Sequence, residues 1–317
     1  MMYSLLILTA IFFQCRHVAS LRIASSLLWI EHTPQSYAIE NFYNRSTPPT
    51  LLSGGVADLA SNITFDLGAN AETQGLKQYA NHRNIRLIYV ICEVPYRLVA
   101  DKRKGIAKLE DLKGKKIGAF PVSSATVFVH KMMSSVGVHD YEYERYETVD
   151  AMFCMKAPCK DSELPNLLNN GSLDAYGMWE TSVELGAMAL GDNAITFQNA
   201  SIYREVYALY STTEALSDPS KRQDIVGFVR ALEKTLDVFT HRPKENKVFD
   251  FVAKAVGADA EVVEAVWDDH KWGGRWDDRL IDFLVDEDKY LADQDNRTVT
   301  PRTELEKFLD LSIIDEL

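Results

Sequence analysis

Short β-rich runs alternate with helical segments through the first two thirds of the chain, and this alternation constrains the fold more than any other feature. Strands are predicted at Leu21–Ser25, Asp58–Ile63, Ile85–Cys92, Tyr96–Val99, Lys116–Ala119, Ala175–Met178 and Arg204–Ser211. Helical segments are predicted between them at Pro34–Asn44 (with Thr33 as N-cap), Leu109–Leu112, Ala125–Val136 and Thr181–Leu190. Such alternation is typical of an α/β fold with parallel sheets covered by helices.

Beyond the last of these strands the pattern becomes almost wholly helical. The predicted helices are Arg222–Thr240, Lys244–Val256, Ala260–Asp268, Asp277–Leu291 and Thr303–Glu316. We therefore expect two lobes: residues 21–104 together with 205–317, which include the C-terminal helices, and residues 105–204. The chain would cross between the lobes near residues 101–105 and 200–206, and these crossings would form the hinge.

The first twenty residues resemble a secretory signal peptide. Leu5–Phe13 is apolar but too short to span a bilayer, and the small residues Val18–Ser20 follow it. We expect cleavage after residue 20 and secretion; a buried N-terminal strand and a membrane anchor are the alternatives. Since no later segment has the length of a spanning helix, membrane insertion of the mature chain is not expected.

Five Asn-X-Ser/Thr sequons also favour a secretory route, because chance would supply only about one or two. The predicted acceptors are Asn44, Asn62, Asn170, Asn199 and Asn296. Cys154 and Cys159 form a close pair in a turn-rich segment, and an oxidising compartment predicts a disulfide between them. Cys15 falls in the signal segment, and Cys92 lies in an apolar run that indicates a buried thiol.

The net charge and the motifs argue against several classes of function. The net charge is −12 and long Lys/Arg clusters are absent, so a nucleic-acid partner is not expected. His and Cys do not occur at metal-ligand spacing, and the sequence has no Gly-X-Ser-X-Gly or His-Glu-X-X-His motif; we expect neither a metal nor a cofactor. The C-terminal Ile314–Leu317 resembles an endoplasmic-reticulum retention signal, although it also fits the end of a helix.

Four segments carry a resemblance to a known family. They are Lys108–Phe120 (KLEDLKGKKIGAF), Trp29–Pro34 (WIEHTP), Ser53–Asp58 (SGGVAD) and Gly171–Glu180 (GSLDAYGMWE). In order and spacing they are similar to the type II periplasmic solute-binding proteins, in particular the group related to sulfonate- and thiamine-precursor-binding proteins. The last segment resembles fungal members. The resemblance implies a two-lobed fold with a C-terminal helical cap and a ligand cleft between the lobes.

The candidate ligand-binding residues are Trp29, His32, Asn62, Ser123, Ser124, Trp179 and Glu180. Trp29 and His32 follow the first strand at its carboxyl end, where open α/β sheets bind ligands; an ordinary core or surface role is the alternative. Ser123 and Ser124 begin a helix, where free backbone N–H groups and hydroxyls accept an anion or carbonyl, or merely cap the helix. Trp179 adds stacking area.

Two candidates have a competing role. Glu180 either binds a ligand amine or amidine or caps the helix that begins at Thr181. Asn62, at the end of its predicted strand, either faces the cleft or carries a glycan, because a cleft-lining side chain cannot easily do both.

Three functions follow from these observations. The first is a secreted protein, monomeric or weakly dimeric, that closes around a small polar or heteroaromatic ligand, pyrimidine-like or sulfonate-like. The second is an enzyme of lyase or synthase type acting in the same cleft. The related pyrimidine-precursor synthase carries a Cys-Cys-Cys-Phe-Cys run that this chain lacks. The third is an interaction protein whose cleft is packed shut by Phe120, Met178 and Trp179.

Overall fold

Eleven strands and twelve α-helices occur in the computed structural model, which describes residues 20–45, 47–61, 64–120, 123–138, 142–145, 153–274, 276 and 279–317. The strands are β1 Arg22–Ser25, β2 Thr50–Ser53, β3 Leu67–Ala71, β4 Ile85–Val94, β5 Arg97–Asp101, β6 Lys116–Ala119, β7 Glu142–Arg145, β8 Ala175–Met178, β9 Ala194–Phe197, β10 Glu205–Thr212 and β11 Lys271–Trp272. The helices are α1 Thr33–Asn41, α2 Val56–Ser61, α3 Glu72–Asn81, α4 Ser124–Ser135, α5 Leu164–Asn169, α6 Ser182–Leu190, α7 Thr213–Ser217, α8 Pro219–His241, α9 Val248–Val256, α10 Ala260–Ala265, α11 Arg279–Gln294 and α12 Arg302–Leu305.

The strands form two sheets with both parallel and antiparallel pairs. The first sheet has the order β11-β4-β10-β3-β1-β2 and the second β7-β6-β8-β5-β9. Within each sheet the strands that alternate with helices are parallel, as in β1-β2 and β6-β8. The strands next to the crossings are antiparallel to their neighbours, as in β10-β4 and β5-β8. The prediction of parallel sheets therefore holds for the strands that alternate with helices, and antiparallel pairs are added where the chain changes sheet.

The buried strands of each sheet have mostly apolar sequences. β4 is rich in β-branched and aromatic residues, and eight of its ten positions are buried, as expected of a strand paired on both sides. One continuous core contains side chains from both sheets, for example Leu87 in β4 and Ile117 in β6. The free thiol of Cys92 lies in this core, as the sequence predicted.

The chain changes sheet between β4 and β5 and again between β9 and β10. The first change thus lies at Pro95 and Tyr96, a strand earlier than the predicted crossing near residues 101–105, because β5 pairs with β8 and β9. The second lies between Phe197 and Glu205, at the predicted position. The lobe boundaries themselves stay a prediction.

Residues 56–61 correct one prediction: they form helix α2, where a strand was expected at Asp58–Ile63. The Asp58 carboxylate accepts a hydrogen bond from the Gly55 backbone N–H at 2.9 Å, which satisfies a free donor at the helix start. Val56 and Leu59, three positions apart, are both buried, so the segment has the spacing of a helix face. Asn62 and Ile63 lie outside the described residues.

The prediction of a single helix over Thr303–Glu316 is also wrong. Only Arg302–Leu305 is α-helical, and a single tight turn follows it. Leu309 then pairs with Leu87 of β4 in an isolated bridge, and the Asp310 N–H donates to the Leu87 carbonyl at 3.0 Å. The Asp310 carboxylate accepts from the Ser312 N–H, a local bond that competes with helix formation.

A disulfide joins Cys154 and Cys159, as predicted, with their Cα atoms 5.5 Å apart. The loop that it closes contacts neighbours in several parts of the molecule. Lys156 pairs with Asp259, just before α10, at 2.6 Å, and the Met155 carbonyl accepts from the Thr181 hydroxyl at 3.0 Å. The loop therefore links α6 to the C-terminal helices.

Candidate functional site: a cavity between the two sheets

A cavity of about 280 Å³ lies where loops from the two sheets meet. Its lining comprises Ser26, Trp29, Glu31, His32, Asn70, Ala71, Gln74, Phe120, Ser123, Ser124, Trp179 and Glu205. Most of these residues follow the carboxyl ends of the parallel strands β1, β3, β6 and β8, which is where open α/β sheets bind ligands. The volume is close to the lower end of the range for small-molecule sites, about 300–1,000 Å³.

The loop after β1 supplies one wall. His32 ends a single 3₁₀ turn, and its ring stacks on Tyr207 of β10 with centroids 4.4 Å apart. The His32 Nδ1 forms a hydrogen bond with the Ser26 hydroxyl. The Tyr207 hydroxyl is in turn bonded to Ser25 and Gln35, so the imidazole rests on a fixed aromatic surface.

Asn70 and Gln74 extend this wall along β3 and α3. The Asn70 Oδ1 accepts a hydrogen bond from the backbone N–H of Ala71 at 2.9 Å. The Asn70 Nδ2 lies over Gly55, where an added Cβ would come within 2.4 Å of it. Gly55 is therefore required for the amide to take its place at the cavity.

Ser124 organises the opposite wall. Its hydroxyl oxygen accepts from the Trp179 indole Nε1 at 3.1 Å and lies 3.0 Å from the Tyr96 hydroxyl. The Ser123 hydroxyl does not cap α4 but donates to the Phe120 carbonyl at 2.6 Å. Both hydroxyls thus have partners within the protein while they line the cavity.

Aromatic rings from the two sheets meet across the cavity. Trp29, after β1, and Trp179, after β8, have ring centroids 4.7 Å apart. Phe153 packs edge-on against Trp29 at 4.8 Å, and Phe120 packs against Trp179 at 5.5 Å. This aromatic surface offers stacking area to a planar ligand.

Burial changes the protonation of three lining side chains. It raises the pKa of Glu31 to about 8, with a smaller contribution from the negative charge of Glu180. It lowers the pKa of His32 to about 3, so the imidazole is neutral near pH 7. The pKa of Glu205 is raised well above its usual value by burial and then by Glu31, while a hydrogen bond from Tyr96 lowers it.

The structure brings five of the seven candidate residues together around this cavity: Trp29, His32, Ser123, Ser124 and Trp179. Glu180 lies outside the lining. Its carboxylate pairs with the Arg97 Nε at 2.7 Å and accepts the Glu184 N–H in the first turn of α6, which matches the helix-end alternative. Asn62 lies outside the described residues, and the strand that was to aim it at the cleft is helix α2.

Sequence reasoning missed several lining residues, above all Glu31, Glu205 and Asn70. Glu31 stands inside the same motif as Trp29 and His32, and its position next to them was a usable signal. Asn70 was missed because β3 contains small residues, with the sequence Leu-Gly-Ala-Asn-Ala, and has little strand propensity. Glu205 reaches the cavity only because β10 inserts between β3 and β4, a long-range pairing.

One group with metal-ligand geometry occurs in the described part of the chain: Cys154, Cys159 and Glu163. In the disulfide form neither sulfur is a thiolate, the form that binds metals. The group also lies away from the cavity lining.

A family comparison agrees with this geometry. Residues 51–246, more than half of the chain, match the model of the family described as NMT1/THI5 like. The chain belongs to the NMT1/THI5-like family. No curated protein matches the sequence.

Solved structures share the fold at low sequence identity. The periplasmic aliphatic sulphonate-binding protein SsuA of Escherichia coli is 14% identical, with a TM-score of 0.66, and the match covers 90% of this chain and 91% of that one. The ligand-binding component of an ABC-type import system from Staphylococcus aureus, solved with zinc bound, is 12% identical, with a TM-score of 0.70. The match covers 94% of this chain and 98% of that one. The Candida albicans CA3427 gene product, described as having the generic periplasmic binding protein fold, is 14% identical with a TM-score of 0.60 and coverage of 92% and 96%.

These similarities confirm the predicted two-lobed periplasmic-binding-protein fold. Within the described residues, no helix is both long and apolar enough to cross a membrane.

Proposed function

We propose that this protein is a secreted solute-binding protein that closes two lobes around a small polar or heteroaromatic ligand. The observation that carries the proposal is the cavity with Trp29 from the first sheet and Trp179 from the second. A ligand that contacts both of these rings touches both lobes only when they are closed, so its binding stabilises the closed state. Membership of the NMT1/THI5-like family supports a ligand-binding role.

A thermal-shift screen with pyrimidines, sulfonates and amino acids tests this proposal. We expect at least one class to raise the melting temperature of the full chain and to reduce its radius of gyration in X-ray scattering. Trp179→Phe removes the indole N–H bond to Ser124 and part of the stacking surface. We expect it to weaken ligand binding by about 1–3 kcal/mol.

Trp276→Phe is the matched control, because Trp276 lines a different cavity. It should leave ligand affinity unchanged. If no compound of the three classes raises the melting temperature and the chain carries no co-purified ligand by mass spectrometry, the proposal is wrong.

Export is the second part of the proposal. The sequon residues Asn44, Asn170, Asn199 and Asn296 are all exposed, which glycosylation requires.

An enzyme acting in the same cavity is the second candidate, because Ser26, His32 and Glu31 lie side by side in its lining. Two features weaken it: the pKa of His32 falls to about 3, which makes the imidazole a weak base, and the Glu31 carboxylate is 3.8 Å from its Nε2. Product formation from a bound ligand, lost in His32→Ala, would favour the enzyme.

A further inference from the structure

Two buried carboxyl groups face the cavity from different elements. Glu31 lies in the 3₁₀ turn after β1, and Glu205 is the first residue of β10. Each is only 3% exposed, and each belongs to the lining. Acidic side chains are rarely buried so deeply unless a positive charge accompanies them.

Neither carboxyl group has a cationic partner. The Glu205 Oε2 is buried without any hydrogen-bond partner among the described residues. The Glu31 carboxylate has His32 Nε2 at 3.8 Å, beyond hydrogen-bond distance, and that ring is neutral near pH 7 because burial disfavours its charged form.

The groups that face Glu205 from the surrounding elements are all acids, weak acids or phenols. They are Glu31 from the turn after β1, Glu72 from α3, Cys92 from β4, Tyr96 from the crossing to β5, Tyr203 before β10, and Tyr207 and Tyr210 on β10. The described lining contains no Lys or Arg. Arg97 is engaged by Glu180 and Glu184, and Lys77 lines a neighbouring cavity that shares Ser123.

An ionised carboxylate in such surroundings is unstable, because the hydrogen bond from Tyr96 to Glu205 replaces only part of the lost hydration and no cation offsets the charge. Without a positive charge beside them the two groups therefore hold protons, in agreement with their raised pKa values. A bound positive charge would supply the missing partner and allow one or both to ionise.

We propose that the cavity selects an organic cation, a small planar frame with a protonated amine, amidine or ring nitrogen, and that Glu205 is its counter-ion with Glu31 beside it. This inference rests on the proposed binding function and adds the charge of the ligand. The faces of Trp29 and Trp179 suit the same class of ligand, since aromatic rings attract cations. A sulfonate or carboxylate would meet two acids and no cation.

Binding is then coupled to proton release. The neutral carboxyl group of Glu205 loses its proton to solvent as the cation arrives, and the product is a carboxylate–cation pair. Charge balances, because one proton leaves for each cation that the carboxylate pairs with.

Three probes of similar size test the assignment: benzamidinium, benzamide and benzenesulfonate, each titrated at pH 6.5 against the tryptophan fluorescence of the full chain. We expect benzamidinium to bind about tenfold or more tightly than benzamide, because its hydrogen bonds to a carboxylate are charge-assisted. Benzenesulfonate should bind most weakly.

Glu205→Gln is the decisive variant, since it keeps the shape and removes the charge. It should cut benzamidinium affinity by about tenfold or more and change benzamide affinity by less than about twofold. Glu31→Gln should also lower the affinity for benzamidinium. Glu110→Gln, at an exposed site remote from the cavity, is the matched control and should change neither.

Calorimetry in two buffers of different ionisation enthalpy provides an independent readout. We expect the wild-type chain to release protons on binding benzamidinium and Glu205→Gln to release fewer. Circular dichroism checks that each variant is folded, so a loss of affinity is not confused with a loss of structure.

Several outcomes overturn the inference: equal affinity for benzamidinium and benzamide, tighter binding of benzenesulfonate, no response to benzamidinium in the wild type, or full preference for the cation in Glu205→Gln. Binding of a neutral or anionic compound would leave the proposed binding function intact and remove only the charge assignment. If no compound of the thermal-shift screen binds, both the proposed binding function and the charge assignment are wrong.

Discussion

Glu31 and His32 are adjacent in sequence, yet burial moves their pKa values in opposite directions. The folded chain holds a proton on Glu31 up to a pKa of about 8, whereas an unfolded chain releases it near the ordinary value of 4.5. It keeps His32 unprotonated down to a pKa of about 3, whereas an unfolded chain protonates it near 6.5. Both groups therefore make folding depend on pH, in opposite senses.

The combined contribution of Glu31 and His32 to the stability of the ligand-free protein should accordingly form a plateau. Between about pH 4.5 and 6.5 the contributions of Glu31 and His32 cancel, because each state binds one proton across the pair. Above pH 6.5 only the Glu31 contribution changes, and the free energy of unfolding should fall by about 1.4 kcal/mol per pH unit up to about pH 8. Burial also raises the pKa of Glu205 and of Glu72, which add to this fall, and lowers the pKa of His270 to about 4, which adds to the loss on the acid side.

Below pH 4.5 the His32 contribution is lost instead, with a similar slope towards pH 3. Urea unfolding from about pH 3 to 9 measures this profile. Relative to the wild type, Glu31→Gln should reduce the alkaline slope by about 1.4 kcal/mol per pH unit and leave the slope below pH 4.5 unchanged. An alkaline slope equal to that of the wild type would show that Glu31 is ionised in the folded protein.

Among the individual residues of the cavity, the sequence predicted the aromatic and hydroxyl side chains but not the acidic ones, Glu31 and Glu205. Trp29 and His32 stand out as unusual residues at a strand end, whereas Glu31 and Glu205 look like ordinary surface carboxylates until their burial is known. Burial depends on which elements pack over a residue, and a single sequence does not contain that information.

Among the elements, the disulfide loop shows how a short segment connects distant helices. Besides its contacts with Asp259 and Thr181, its neighbour Phe153 packs on Trp29 in the cavity wall. Cys154 itself is buried against Leu185 of α6 and Val262 of α10. The loop therefore holds both the cavity wall and the contact between α6 and α10.

The double substitution Cys154→Ser with Cys159→Ser should lower the free energy of unfolding by about 2 kcal/mol, the value expected for so short a loop. Denaturant titration measures the loss. Lys156→Ala in the same loop removes only an exposed ion pair and should cost less than about 1 kcal/mol. Equal stability of the double variant and the wild type would mean that packing alone fixes the loop.

Element types were predictable where the pattern was strong and long. β4, α4 and α8 match their predicted segments closely because each has a clear apolar period or a defined helix start, such as Asp218 before Pro219. Short segments were less predictable. The apolar residues of α2 fit a strand or a helix, and only the hydrogen bond from Gly55 to Asp58 and the packing of Val56 decide between them.

For the whole molecule, the two-lobed fold was predictable from the alternation and the family resemblance, whereas the strand order was not. β10 follows β9 in sequence yet pairs with β3 and β4, which precede it by more than a hundred residues. Pairings of this range are set by the burial of whole sheets rather than by local propensity.

The proposed export predicts a glycosylated product. The full chain, expressed in a eukaryotic secreting cell, should appear in the medium without residues 1–20 and should lose mass when N-glycosidase removes its glycans. Asn199→Gln and Asn296→Gln should each remove one glycan, because both side chains are exposed. Asn193→Gln, exposed but outside any sequon, is the control. An intracellular, unmodified product would contradict the proposal.

The tryptophan pair across the cavity has an optical consequence. Trp29 and Trp179 are attached to different sheets and lie 4.7 Å apart, close enough for their electronic transitions to couple. The coupled pair should give an exciton couplet in the circular dichroism spectrum at the indole absorption band. Because this coupling weakens steeply with separation, the chain carries an intrinsic spectroscopic reporter of lobe opening that needs no attached dye.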